Sequence, residues 1–122
     1  MQTDFALGLM SGTSLDGIDA ALIRTDGETI SDFGPWATTP YGAELGQALR
    51  RLVDAGPGMD EAGAGVAQVE AALTEAHAGA VRTLLAEAGL SADQIRVVGF
   101  HGHTLWHDPE RGRTRQIGDG AL

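Results

Sequence analysis

Apolar positions recur along the chain with two different periods, and the change of period divides it into a strand-rich front, a helical middle and a strand-rich end. Phe5 to Met10 is an apolar run long enough for one buried strand and too short for a helix. A second segment, Gly17 to Arg24, alternates, and ends at Thr25-Asp26-Gly27, where Asp-Gly is a strong turn signal. A third strand is expected from about Thr29 to Trp36. After Pro40 the period becomes helical: Leu45, Leu49, Leu52 and Val53 share one face, and Gly56-Pro57-Gly58 stops the helix. Val66, Val69, Leu73, Ala80, Leu84 and Ala88 form the stripe of a second helix within Met59 to Gly89, with a break expected near Gly63 to Gly65. Its alanine-rich face suits packing on a sheet better than coiled-coil pairing. Beyond Ser91-Ala92-Asp93 the run Val97-Val98-Gly99-Phe100 reads as a buried parallel strand, reached by the helical crossover that such a strand needs.

The pattern predicts an α/β chain: a three-stranded meander, then helices, then a further parallel strand. At 122 residues it fits one domain with a real core, and 43% hydrophobic with 20% charged residues places it among globular proteins. The formal net charge of -9 argues against nucleic acid and acidic membrane surfaces as partners, because both are bound by basic faces. All eight basic residues are arginine. Without lysine, a Walker-type phosphate loop and a protein-kinase nucleotide site are excluded, since both place an ammonium on the phosphates. Without cysteine, disulfides, thiolate catalysis and cysteine-bound zinc are excluded too. The first residues carry no basic n-region, and no stretch is long enough to span a bilayer, so a cytoplasmic location is the expectation.

Candidate chemistry lies at two places. Ser11-Gly12-Thr13-Ser14 is a turn of small residues between two strands, followed by the tight turn Leu15-Asp16-Gly17. Backbone amides and hydroxyls can converge there on an anion, although the same composition also serves a plain hairpin. The second place is His101-Gly102-His103-Thr104-Leu105-Trp106-His107-Asp108-Pro109, at the C-terminal end of the expected parallel strand, where α/β folds put ligands. His101 and His103 could share a face and ligate a metal, yet only Asp108 offers a nearby carboxylate. His77 has no partner at ligand spacing and reads as structural or solvated. Arg111, Arg113 and Arg115 share a face if extended, either as a solvated hairpin edge or as a partner for a ligand carboxylate.

The run Gly8-Leu9-Met10-Ser11-Gly12-Thr13-Ser14-Leu15-Asp16-Gly17-Ile18-Asp19 closely resembles the N-terminal signature of the anhydro-N-acetylmuramic acid kinases, sugar kinases of the acetate kinase, Hsp70 and actin type. His101, Gly102 and Thr104 match that family's His-Gly-Gln-Thr segment, with His103 standing where glutamine is usual, and Gln116-Ile117-Gly118-Asp119 matches its Gln-Ile-Gly-Asp segment. The resemblance implies an actin-like (ribonuclease H-like) ATPase lobe, of which residues 1–122 are the N-terminal, partial nucleotide-binding piece of a two-lobed kinase. It also implies ATP and Mg²⁺ as cofactors, with Gly12, Thr13, Ser14, Leu15, Asp16, Gly17, Ile18 and Asp19 in the phosphate loop. The substrate implied is 1,6-anhydro-N-acetylmuramic acid, opened with water and phosphorylated to N-acetylmuramic acid 6-phosphate in peptidoglycan recycling, with His101, Gly102 and Thr104 on the sugar side. The general-base aspartate belongs to an Asp-Thr-Gly-Pro segment expected downstream of Leu122, so the catalytic residue is not assigned and the piece alone is expected to be inactive. A homodimer of the full-length enzyme is left open. The alternatives are a truncated, non-catalytic phosphate-binding remnant and a histidine-based metal-dependent hydrolase.

Overall fold

The computed structural model describes residues 4–11, 17–58, 60 and 65–119. Strands β1 (Asp4–Ser11), β2 (Ile18–Thr25) and β3 (Ile30–Thr39) form the expected meander. Helices α1 (Ala43–Ala55) and α2 (Val66–Ala88) follow, and then β4 (Ile95–Asp108) and β5 (Arg113–Ile117). The five strands make one sheet in the order β3-β2-β1-β4-β5. All neighbours are antiparallel except β1 and β4, which run parallel as a helical crossover permits.

Local chemistry accounts for the boundaries. In the β2–β3 turn, the Asp26 carboxylate accepts the amides of Glu28 and Thr29 at 2.9 and 2.8 Å, and Gly27 takes the positive φ that the turn demands. α2 begins after Gly65 and ends at Gly89, both left-handed, and the Leu90 amide returns to the Leu85 carbonyl at 3.0 Å to cap the last turn.

Alternation along β1 and β2 sends Leu7, Leu9, Ile18, Ala20 and Leu22 to one face, where they pack on Ala80, Leu84 and Leu85 of α2. A second cluster joins Leu49 and Leu52 of α1 to Val66 and Leu73 of α2 and to Leu105 and Ile117 at the far side of the sheet. Both helices therefore cover the same face. The opposite face carries Met10, Ala21, Phe33, Trp36 and Val97 with no element of the described residues packed over it, and Phe33 and Trp36 are 76% and 74% exposed.

Three expectations are corrected here. Val97-Val98-Gly99-Phe100 is parallel as read, but it is not buried: Val97 is 57% and Val98 47% exposed, and only Phe100, half-buried, packs against the core. The strand also does not end at Phe100. It continues to Asp108, since Gly102 makes a bulge within the strand instead of stopping it, and the second half pairs with β5. Arg111 falls in the turn before β5, paired with Asp108 at 3.7 Å, while Arg113 lies over the Trp106 ring at 5.6 Å, so the three arginines do not share one face.

Candidate functional site

The two polar motifs meet at one end of the sheet. β1 ends at Ser11 and β2 begins at Ile18, and the two are cross-strand partners. Gly12, Thr13, Ser14, Leu15 and Asp16 themselves lie outside the described residues. Gly17 has φ 151°, and a Cβ there would fall 2.4 Å from the Thr39 carbonyl oxygen, so close passage of β3 requires this glycine. Ile18 is fully buried in the core, so its side chain faces no ligand. Asp19 points to the open face, and its Oδ1 accepts the Thr38 hydroxyl across the β2–β3 pair.

On the neighbouring strand the register changes. Leu9 pairs with Phe100, but Ser11 pairs with His103, so β4 carries one extra residue at this point. Gly102 takes φ 75° there, and a Cβ on it would lie 2.3 Å from the Ile117 carbonyl oxygen. Gly118 faces it from the end of β5, and a Cβ on Gly118 would lie 3.2 Å from the Gly102 Cα and 2.8 Å from the Phe100 ring. The glycines of His-Gly-His-Thr and Gln-Ile-Gly-Asp thus face each other in a backbone crossing that admits no side chain.

The bulge separates the histidines that could have shared a face. His101 lines a shallow, open depression of about 490 Å³ with Gly8, Met10, Asp19, Ala21 and Gly99. His103 is turned to the helix side and buried, its Nδ1 2.7 Å from Ser11 Oγ. Thr114 bonds His107 farther along the hairpin. Among the described residues no three metal-ligating side chains converge, so the arrangement lends nothing to a metal-dependent hydrolase. Thr104 is half-buried and pairs with Gln116, whose side-chain amide donates to the His101 carbonyl at 3.2 Å.

Several supporting residues carry no readable signal in the sequence. Glu70 and Thr74, one turn apart on α2, accept the amides of Gly118 at 2.9 Å and Asp119 at 3.1 Å and so fix the end of β5. Tyr41 hydrogen-bonds the Ser11 hydroxyl from the segment before α1. A groove of about 520 Å³ between α1 and α2, lined mainly by aliphatic and other uncharged residues, holds neither motif.

Two buried imidazoles lie beneath this end of the sheet. His77 donates from Nδ1 to the Leu73 carbonyl at 2.8 Å and meets Phe100 edge-on at 5.0 Å, which makes it a structural residue. Burial lowers the pKa of His77 below 6.5, with the Leu73 bond opposing. Burial lowers that of His103 too, with hydrogen bonding to Ser11 opposing and the neighbouring His77 and His101 adding to the fall. A histidine whose folded pKa is depressed binds fewer protons folded than unfolded, so protonation favours unfolding. Stability is therefore expected to fall as pH drops below the unfolded value of about 6.5. Urea midpoints at pH 7.5 and 5.5 check this: the fall should be smaller in His103→Gln, and an equal fall would show that His103 contributes nothing to it.

A mixed sheet with an antiparallel meander, a parallel strand reached through helices, and two polar segments meeting at one end is the architecture of the N-terminal lobe of an actin-like ATPase. Residues 4–122 match the family described as anhydro-N-acetylmuramic acid kinase, and the chain belongs to that family. It is 53% identical over 118 residues to an anhydro-N-acetylmuramic acid kinase of Paramagnetospirillum magneticum, covering 96% of this chain and 31% of the relative. The enzyme of the same description from Gluconobacter oxydans is 52% identical over 119 residues, covering 97% and 32%. That from Rhizobium johnstonii is 49% identical over 119 residues, covering 95% and 32%. The chain thus spans about a third of the length of these relatives. No helix among the described residues is long and apolar enough to cross a membrane.

Proposed function

We propose that the chain forms the N-terminal part of the nucleotide-binding lobe of an ATP-dependent kinase. That kinase opens 1,6-anhydro-N-acetylmuramic acid with water and phosphorylates the freed 6-hydroxyl, a step of peptidoglycan recycling in the cytoplasm. The observation that carries the reading is the meeting of the two family segments: Ser11, which immediately precedes the Gly12 to Asp19 stretch, is the sheet partner of His103 in the His101 to Thr104 segment. A phosphate loop and a sugar-side segment must lie this close for one phosphoryl group to pass between their ligands.

ATP supplies the phosphoryl group, and phosphoryl transfer asks of the protein mainly positioning and charge stabilisation. With no lysine in the chain, the backbone amides of residues 12–17 and the hydroxyls of Thr13 and Ser14 are the groups suited to hold its phosphates. Asp16 and Asp19 would steady Mg²⁺ through water, which suits a cation that keeps part of its hydration shell, and Asp19 stands exposed at the depression with one oxygen already engaged by Thr38. His101 lines the same depression and, with Thr104 and the Gly102 backbone, is assigned to the sugar side.

In the full-length enzyme, Gly12→Val is expected to weaken ATP binding at least about tenfold, because a branched side chain crowds backbone amides aimed at phosphate. Calorimetric titration with ATP and magnesium measures it, and unchanged affinity would remove the loop assignment. His101→Ala should instead lower sugar turnover by about tenfold or more while ATP affinity holds, as expected for a contact to the sugar alone. Steady-state kinetics with each substrate varied separates the two, and a loss confined to ATP affinity would move His101 off the sugar side.

A further inference from the structure

We propose that Ser11, His103 and Tyr41 form a hydrogen-bonded clamp that fixes the end of β1, immediately before residues 12–16, against β4, with His103 as its positioning residue. The proposal rests on the reading of those residues as the phosphate site, and it says what holds the strand end before them in place.

Three elements converge on one hydroxyl. Ser11 is the last residue of β1, 2% exposed, and its Oγ is bonded both to Tyr41, which precedes α1, and to His103 Nδ1 on β4 at 2.7 Å. The bulge makes this contact possible. Continued without a break from the Leu9–Phe100 pair, the register would set Gly102 opposite Ser11; the extra residue sets His103 there instead. Gly102 accepts the required φ, and the Gly118 crossing locks the distortion from the other side. A bulge that exchanges a glycine for a side chain able to reach the last strand residue before a ligand loop is a re-aiming device.

The burial argues for a specific bond in preference to packing. His103 is 0% exposed, and its Nε2 has no partner among the described residues. An imidazole in that position leaves a polar atom desolvated, a cost that an aliphatic side chain of similar volume would avoid. What the imidazole adds is a directional bond to Ser11, and directional bonds confer geometric uniqueness where apolar contacts do not. Glutamine, which the family resemblance puts at this position, offers an amide that can bond the same hydroxyl.

Amide hydrogen exchange of the full-length enzyme without nucleotide tests the clamp. His103→Leu is expected to speed exchange across residues 10–19 by about tenfold or more while α2 amides keep their protection, and His103→Gln should restore most of that protection. Tyr41→Phe, which removes one hydroxyl, should give a smaller increase confined to the same residues, and it decides the matter if His103→Leu does not fold. Unchanged exchange in residues 10–19, an equal rise in α2, or no rescue by glutamine would overturn the clamp. Because exchange is read without ligand, failure of the loop to bind ATP would overturn the phosphate reading and leave the clamp standing.

Discussion

Replacing Gly102 by alanine is expected to destabilise the chain by roughly 3 kcal/mol, from the strain of a positive φ and from overpacking, each of order 1–3 kcal/mol. The new Cβ would lie 2.3 Å from the Ile117 carbonyl oxygen, and backbone, unlike the far end of a side chain, cannot swing aside. Relief would need β5 to shift, and β5 is held by Glu70 and Thr74 of α2 and by Ile117 in the second core cluster. Gly99 is the internal control. It lies three residues earlier on the same strand, its nearest neighbour would be 3.9 Å from an added Cβ, and its φ is not positive. Gly99→Ala should therefore be neutral or slightly stabilising, because alanine has less backbone entropy to lose. Thermal melts compare the two variants. A midpoint about 10 °C lower is expected for Gly102→Ala, and variants that melt together would show that the bulge is free to relax.

That bulge marks where the sequence stops being legible. Alternation in β1 and β2, the Asp26-Gly27 turn and the stripe from Val66 to Ala88 are all readable, because each is set by neighbours within a few residues. Phe100 reads as the end of the strand, since the apolar run stops there and a glycine follows two residues on; only pairing with β1 and β5 shows that the strand continues through a bulge at Gly102. Val97 and Val98 read as buried because two-sided burial is the usual lot of a parallel strand, and no local pattern tells whether a helix covers each face.

The candidate site shows the same division. Its two segments stand out as motifs, and Gly102 and Gly118 can be singled out within them, but their mutual contact joins residues on different strands. Tyr41, Glu70 and Thr74 belong to no motif and act only through the fold, so nothing in their own surroundings in the chain marks them. His103 is visible as a departure from the glutamine that the family resemblance puts at this position. Its role is not, because its orientation depends on the extra residue in β4.

Incubated with ATP, magnesium and 1,6-anhydro-N-acetylmuramic acid, the 122-residue chain by itself is expected to form no sugar 6-phosphate above background. Its residues include no Asp-Thr-Gly-Pro segment, where the family resemblance puts the general base. General-base help alone is typically worth about a hundredfold to ten-thousandfold in rate. The larger loss is positional. The relatives are about three times as long, and in a two-lobed kinase the reacting atoms are aligned, and water is excluded, by closure of one lobe on the other. The uncovered sheet face predicts a second property of the chain in isolation: Met10, Phe33, Trp36 and Val97 expose enough apolar surface that self-association is expected. Product assay and light scattering on one preparation test both halves. A well-behaved monomer that turns over the sugar would show that these residues already hold a complete catalytic centre; an inactive, associating chain would place the missing chemistry and the missing cover outside them.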